Sequence, residues 1–144
     1  MSEESGFGMP LVGRREALGV AGVAVCGLAL TGCGGQQEPV KSMVPPGIKG
    51  KPLAKTADIP VGGGKVFPKW KIVVTQPTAG VYKAFSAVCT HKGCLVAAPE
   101  KDVISCPCHG SEFAAGSGKV LKGPAAAPLP EFTAKVEGDD IIIV

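Results

Sequence analysis

Two short boxes of cysteine and histidine are the parts of this chain whose residue types and spacing could do chemistry. The first box reads Cys-Thr-His-Lys-Gly-Cys over residues 89–94, and the second reads Cys-Pro-Cys-His-Gly-Ser over 106–111. Together they contain both histidines of the 144-residue chain and four of its six cysteines. Thiolate sulfur and imidazole nitrogen bind zinc and iron–sulfur centres in proteins. The boxes therefore predict a metal site built from two loops.

The boxes resemble those of the Rieske iron–sulfur proteins, a resemblance that covers roughly the last 90 residues. In that family each of two loops supplies one cysteine and one histidine to a 2Fe-2S cluster. The resemblance implies that Cys89 and Cys106 bind one iron and that His91 and His109 bind the other.

The same resemblance implies a role for the other two cysteines of the boxes. In the family they form a disulfide that links the two loops, which here would join Cys94 to Cys108. Gly93 and Gly110 suit loops whose backbone passes close to a cluster, because glycine has no side chain to obstruct the approach.

Formal charges indicate what such a cluster would do. Two thiolates and two sulfides balance two ferric ions when the imidazoles are neutral, so the oxidised cluster is neutral and the reduced one carries a single negative charge. A cluster with four cysteine ligands would already be anionic before reduction, and adding an electron to an anion is harder in a low-dielectric site. We therefore expect a mild electron carrier rather than a strong reductant.

The residues of the boxes also allow two other interpretations. A structural zinc site could also use two cysteines and two histidines, and four cysteines in an exported chain could form two disulfides. Zinc does not require the additional Cys94 and Cys108, and two disulfides leave both histidines unexplained. The 2Fe-2S cluster is therefore the preferred cofactor, and a zinc-stapled binding module without redox activity is the alternative.

Further residues near the boxes match or depart from the family pattern. Gly123-Pro124-Ala125 is similar to the proline loop that covers the cluster, and Ser111 stands where high-potential members place a hydroxyl that donates to a bridging sulfide. Phe113 occupies the place of a tyrosine whose hydroxyl bonds a ligand sulfur. Lys92 replaces an apolar residue, usually leucine, at the exposed tip in quinol-oxidising members.

The N-terminal residues predict where the protein works. Arg14-Arg15 precedes an apolar stretch from Ala17 to Leu30, which ends at Leu30-Thr31-Gly32-Cys33. The stretch is shorter than the about 20 residues of a membrane span. It resembles a twin-arginine signal with a bacterial lipobox, which implies cleavage after residue 32 and lipidation of Cys33. The alternative is an uncleaved anchor. We expect a plasma-membrane protein, lipid-anchored on the extracytoplasmic face, where an oxidising environment preserves a disulfide.

Three parts are expected in the chain. The two resemblances imply a signal peptide over 1–32 and a Rieske domain over 56–144, and composition predicts a flexible tether over 33–55 between them. The tether is predicted because this segment has glycine and proline but few large apolar residues. The net charge of +3 comes from scattered lysines without a basic helix, so nucleic acid is not an expected partner.

Short apolar segments between Gly/Pro turns predict an all-β domain from residue 58 onward. The resemblance makes it a small antiparallel β-sandwich with a two-loop cluster-binding subdomain. The predicted strands are 70–75, 81–88, 95–97, 103–105, 132–136 and 141–144. The predicted core residues are Val73, Phe85, Ile104, Val136 and Ile142.

The resemblance implies one-electron transfer as the iron–sulfur subunit of a cytochrome bc-type quinol:cytochrome c oxidoreductase of a respiratory chain, with quinol and cytochrome subunits as partners. The alternative is a Rieske small subunit or electron donor of another exported oxidoreductase, such as arsenite oxidase. No separate catalytic site is evident. An oxygenase would need two more histidines for its catalytic iron, and none remain. A ring-hydroxylating oxygenase ferredoxin is disfavoured, because those ferredoxins are cytoplasmic and usually lack the disulfide pair.

Overall fold

The structure, a computed structural model, describes residues 43–144, and this part of the chain is β apart from a short 3-10 helix at Thr56–Asp58. The predicted all-β class is confirmed. Within these residues no helix has the length and apolar character needed to cross a membrane. The strands are β1 Pro52–Lys55, β2 Gly64–Phe67, β3 Ile72–Thr78, β4 Val81–Ser86, β5 Val103–Ser105, β6 Glu112–Ala114, β7 Val120–Lys122, β8 Glu131–Phe132, β9 Ala134–Glu137 and β10 Asp140–Ile143.

These strands form three antiparallel sheets, with strand orders β1-β10-β9, β2-β3-β4-β8 and β5-β6-β7. The four-stranded sheet has a hydrophobic core on each face. Val73 packs in one core and Ile72 and Val74 pack in the other, because successive side chains of a strand point to opposite faces. Both faces are covered, so all three of these residues are fully buried.

One of these two cores contains the predicted ligand cysteines, and we call it the site-side core. Thr75 ties β3 to the sheet that carries the second box, because its hydroxyl donates a hydrogen bond of 2.7 Å to the Ala115 carbonyl. The members of the site-side core are Val73, Phe85, Ala87, Cys89, Val96, Ile104, Cys106, Phe113, Ala115, Ala125 and Leu129.

The strand predictions near the boxes were partly correct. The strand at 103–105 is confirmed as β5. The strand predicted at 70–75 begins later, at Ile72, because Trp70 and Lys71 belong to a turn in which Lys71 has a φ of 54°. The strand predicted at 81–88 ends at Ser86. Residues 95–97 contribute only an isolated bridge between Val88 and Leu95.

The strand predicted at 132–136 is divided between two sheets. It ends at Phe132 in the four-stranded sheet and starts again at Ala134 in the β1-β10-β9 sheet. The strand predicted at 141–144 is β10, displaced by one residue at each end. Strands β1, β2, β6 and β7 were not predicted, because each has only three or four residues and little apolar alternation.

Four of the five predicted core residues are buried, and Val136 is the exception. Val73, Phe85, Ile104 and Ile142 are at most 6% exposed, whereas Val136 is 41% exposed. Val136 lies on β9, an edge strand of its sheet, where no further strand covers it. An apolar residue in a strand pattern does not reveal whether its strand is central or at an edge.

The folded domain starts upstream of residue 56, the predicted boundary between tether and domain. Strand β1 pairs with β10, and the Gly50 N–H donates a 2.7 Å hydrogen bond to the Ile143 carbonyl. Ile48 is 3% exposed in the core on the other face of the four-stranded sheet, which also contains Ile72 and Val74 and which we call the second core. Residues 48–55 are therefore part of the fold and not of a tether. The predicted signal peptide, Cys33 and the start of the predicted tether lie outside the described residues.

Candidate metal centre

The two boxes form two loops closed by the same hydrogen bonds. In the first loop, after β4, the Cys89 N–H donates to the Cys94 carbonyl at 2.7 Å, and the Gly93 N–H donates to the Cys89 carbonyl at 2.9 Å. In the second loop, between β5 and β6, Cys106 and Gly110 make the equivalent bonds at 2.8 and 3.0 Å, the first of them to the Ser111 carbonyl. Equivalent closure gives both loops a similar shape around the predicted ligand residues.

Glycine is needed in both loops for its backbone conformation. Gly93 has a φ of 79° and Gly110 a φ of 76°, in the left-handed region that side-chain-bearing residues rarely adopt. The structure thus supplies a reason for these glycines that does not depend on a close approach to a cluster.

The predicted disulfide between Cys94 and Cys108 is present, with the two Cα atoms 6.5 Å apart. It joins the first loop to the second and leaves Cys89 and Cys106 as free, buried thiols. The sulfurs of Cys94, Cys106 and Cys108 lie within 4.8 Å of one another, so the disulfide lies against a predicted ligand. Because two of these sulfurs are bonded to each other, that trio does not form a metal site.

The two free thiols lie together in the interior. Cys89 and Cys106 are each 2% exposed, and their side chains are in hydrogen-bonding contact. Burial raises the pKa of the Cys106 thiol, and the neighbouring Cys89 raises it further. The backbone N–H groups of Cys108 and His109 donate to the Cys106 sulfur and act in the opposite direction. Such donors stabilise a thiolate, which is the form that binds metal.

The two imidazoles also lie together. The ring centroids of His91 and His109 are 4.8 Å apart, and the rings meet edge to face at 88°. Burial lowers the pKa of His91, and the charges of His109 and Lys92 lower it further, which favours the neutral, metal-binding imidazole.

One nitrogen of the His91 ring has no hydrogen-bond partner among the described residues. This atom, Nδ1, is buried. A buried polar atom without a partner is costly, and a bond to iron would satisfy it. Two free buried thiols, two adjacent imidazoles and this nitrogen fit a 2Fe-2S cluster. The assignment of the four individual ligands stays a prediction.

A third loop, residues 123–130 between β7 and β8, is held against the other two. The Thr90 hydroxyl donates to the Ala127 carbonyl at 2.6 Å, and the Ala125 N–H donates to the Ser111 hydroxyl at 3.0 Å. This is the loop that was predicted to cover the cluster, with Pro124 exposed on it. Thr90 was not identified from the sequence, although its place between Cys89 and His91 was an available clue.

The predicted tuning residues occupy distinct environments. Ser111 is fully buried and accepts the Ala125 hydrogen bond with its oxygen, so its own hydrogen stays available for another acceptor. The Phe113 ring is fully buried in the site-side core, which also contains Cys89 and Cys106. Lys92 is exposed beside His91. Their effects on a redox potential stay predictions.

Paired Cys/His loops on an all-β domain, joined by a disulfide, define a class of iron–sulfur protein with two cysteine and two histidine ligands. Residues 50–133 match the family model described as the Rieske [2Fe-2S] domain. The chain belongs to the Rieske family, and one 2Fe-2S cluster is its cofactor.

The similar proteins include iron-sulfur subunits of cytochrome b6-f complexes and a chain of a respiratory complex. The chain is 38% identical over 112 residues to the cytochrome b6-f complex iron-sulfur subunit of Chlorobaculum thiosulfatiphilum, covering 72% of this chain and 61% of that protein. It is 32% identical to the subunit of the same name from Microcystis aeruginosa, covering 99% of this chain and 90% of the relative. A chain of a hyperthermophilic respiratory Complex III matches with a TM-score of 0.54 and 28% identity, over 67% of this chain and 76% of that one. This chain thus spans less than two thirds of the length of the Chlorobaculum relative.

Proposed function

We propose that this protein transfers single electrons as the iron–sulfur subunit of a cytochrome bc-type quinol:cytochrome c oxidoreductase. The observation that carries the proposal is the site itself, in which two buried free thiols lie together and two imidazoles lie together on two loops that are joined to each other and to a third loop. A bound 2Fe-2S cluster supplies a one-electron couple. The names of the b6-f relatives and the Complex III neighbour support the bc-type assignment.

The residues of the chain have separable tasks in this proposal. Cys89 and Cys106, which are buried, would hold one iron where water is excluded. His91 would hold the other iron through its unpartnered Nδ1 atom, which would leave Nε2 to hold or release a proton. His109 is exposed, so its second ring nitrogen is accessible to a hydrogen-bonding partner such as quinol.

The proposal includes the cellular localisation of the protein. The pattern of Arg14-Arg15, an apolar stretch and Cys33 supports export in the folded state, cleavage after residue 32 and lipid anchoring on the extracytoplasmic face of the plasma membrane. Twin-arginine export carries folded proteins, as a cofactor inserted in the cytoplasm would require. The Cys94–Cys108 disulfide supports an oxidising compartment.

Lys92 favours a second candidate, a Rieske subunit or electron donor of another exported oxidoreductase of the arsenite-oxidase kind. An apolar quinol pocket would have to remove water from the exposed Lys92 ammonium beside His91, which is unfavourable without a compensating partner.

Two measurements test the proposal. Iron and sulfide analysis with low-temperature spin resonance of the reduced protein should give two irons, two sulfides and a signal from a His-ligated cluster, whereas a single zinc would contradict the cofactor. Purification in mild detergent should then recover cytochrome subunits with the protein. Recovery with a molybdenum enzyme instead would support the second candidate.

A further inference from the structure

The surface above the metal centre has an unusual charge distribution. It is formed by the three loops 89–94, 106–111 and 123–130, and Lys92 is the single Asp, Glu, Lys or Arg in them. Lys92 is exposed and makes no salt bridge within the part of the chain that the structure describes. We call this surface the loop face.

The charges that border the loop face are paired. Glu112, directly after the second loop, lies 3.6 Å from the Lys122 ammonium. Glu131, directly after the third loop, lies 3.1 Å from the Lys83 ammonium. Each pair is neutral in sum, so the Lys92 ammonium stands as an uncompensated positive charge beside His91.

The rest of the loop face is small and uncharged, which suits close approach of a redox partner. Its exposed residues besides Lys92 and His109 are Gly93, Pro107, Cys108, Gly110, Gly123, Pro124, Ala126 and Ala127. A partner seated here would remove water from Lys92. Desolvation of an ammonium is unfavourable unless the partner places a negative charge opposite it.

We infer that the loop face docks an electron-transfer protein with an acidic surface around its own redox centre, and that Lys92 sets this preference by pairing with a carboxylate of the partner. The inference rests on the proposed electron-transfer function and adds the kind of partner. In this role Lys92 determines specificity without touching the reacting atoms.

The test compares three variants, Lys92→Gln, Lys92→Glu and Lys92→Arg, with the control Lys51→Gln. The control removes one positive charge, as Lys92→Gln does, but outside the loop face. Lys51 is exposed beside the β1–β10 pair, outside the loop face, and makes no salt bridge among the described residues. The probes are hexacyanoferrate(III), a small acidic c-type cytochrome and a basic c-type cytochrome. Stopped-flow oxidation of the reduced protein is recorded at rising ionic strength. Calorimetry measures the Kd of the oxidised protein for the oxidised acidic cytochrome.

With the acidic cytochrome, we expect Lys92→Gln to slow the reaction and weaken binding by about 3-fold to 10-fold at low salt. Lys92→Glu should have a larger effect, Lys92→Arg should preserve the parent values, and salt should abolish the differences. Lys51→Gln should have little effect on rate or binding. Lys92→Glu should speed the reaction with the basic cytochrome.

Equal losses in Lys92→Gln and Lys51→Gln would overturn the inference, because they would reflect net charge rather than a docking contact. A Lys92 effect on hexacyanoferrate(III) without one on the acidic cytochrome would overturn it as well. Spin resonance and the midpoint potential of each variant distinguish this failure from failure of the proposed function. Absence of a 2Fe-2S signal from the parent protein would contradict the proposed function. An intact signal together with binding that does not depend on Lys92 would contradict only the docking inference.

Discussion

At the scale of single residues, the cysteines of the two loops fall into two kinds. Cys89 and Cys106 are buried free thiols, whereas Cys94 and Cys108 are bonded to each other. This difference gives their substitutions different expected outcomes.

We expect Cys89→Ser to abolish cluster binding, because a serine hydroxyl is a poor ligand where a thiolate is required. Iron and sulfide content per protein measures the loss. Cys94→Ser is the matched control, because it leaves both free thiols in place. The purified variant should still contain iron. Full iron content in Cys89→Ser would contradict the ligand assignment.

Ser111→Ala should lower the midpoint potential by on the order of 100 mV. For a one-electron couple, a shift of this size corresponds to the free energy that one hydrogen bond to a charged group contributes. The structure supports a free hydroxyl hydrogen, since the Ser111 oxygen already accepts from the Ala125 N–H. Phe113→Tyr should raise the potential if its added hydroxyl reaches a ligand sulfur.

Protein-film voltammetry measures both shifts. Ser117→Ala is the control, because the Ser117 hydroxyl oxygen accepts a hydrogen bond from the Lys119 N–H, outside the three loops. If Ser111→Ala and Ser117→Ala left the potential equally unchanged, the Ser111 hydroxyl would have no part in tuning.

At the scale of elements, three loops from different parts of the chain are fastened to one another. The first two are joined by the disulfide, and the third is bonded to both through Thr90 and Ser111. The sheets hold the loop ends, and these cross-links hold the loops against each other.

Cys94→Ser should therefore shorten the lifetime of the cluster without changing its type. The disulfide spans 14 residues of sequence, and closing a loop of about 15 residues contributes about 3 kcal/mol in the chain-entropy model. The decay of visible absorbance on mild heating should be faster than in the parent, while the initial spectrum stays similar. Identical decay in both proteins would show that the disulfide does not stabilise the site.

The segment before β1 gives an element-scale prediction about stability. Ile48→Ala should lower the free energy of unfolding by about 3 kcal/mol, because Ile48 is 3% exposed in the second core. Val61→Ala, at a residue 61% exposed, should change it by less than about 0.5 kcal/mol. Denaturant unfolding compares them, and equal stabilities would mean that this segment behaves as a tether in solution.

At the scale of the whole molecule, the metal centre and the predicted export and lipidation pattern lie in separate parts of the chain. The metal centre lies between residues 89 and 130, whereas the predicted pattern ends at Cys33. The proposed function needs both parts, but each should be removable alone.

Cys33→Ala should abolish lipid modification and leave the cluster spectrum unchanged. Mass spectrometry of the purified chain and partition into detergent measure the first effect, and spin resonance measures the second. Replacing both Arg14 and Arg15 by lysine should separately reduce export. An unchanged lipid modification in Cys33→Ala would contradict the assignment of the lipobox.

The sequence by itself determined the chemistry of the site, because ligand types and short spacings are local properties of a chain. Three features could be predicted without coordinates. They are the two boxes, the all-β class and, from the family resemblance, the cysteine pair that forms the disulfide. The boxes and the all-β class depend on residues a few positions apart or on patterns within short segments. The cysteine pair, 14 positions apart, was predicted from the family resemblance alone.

The tertiary structure decided what depends on residues far apart in sequence. Pairing of β1 with β10 brought residues 48–55 into the fold, and the edge position of β9 left Val136 exposed. Thr90 meets the Ala127 carbonyl across 37 positions. Local composition does not specify such contacts, because they arise only when separate strands pack on shared cores and bring their loops together.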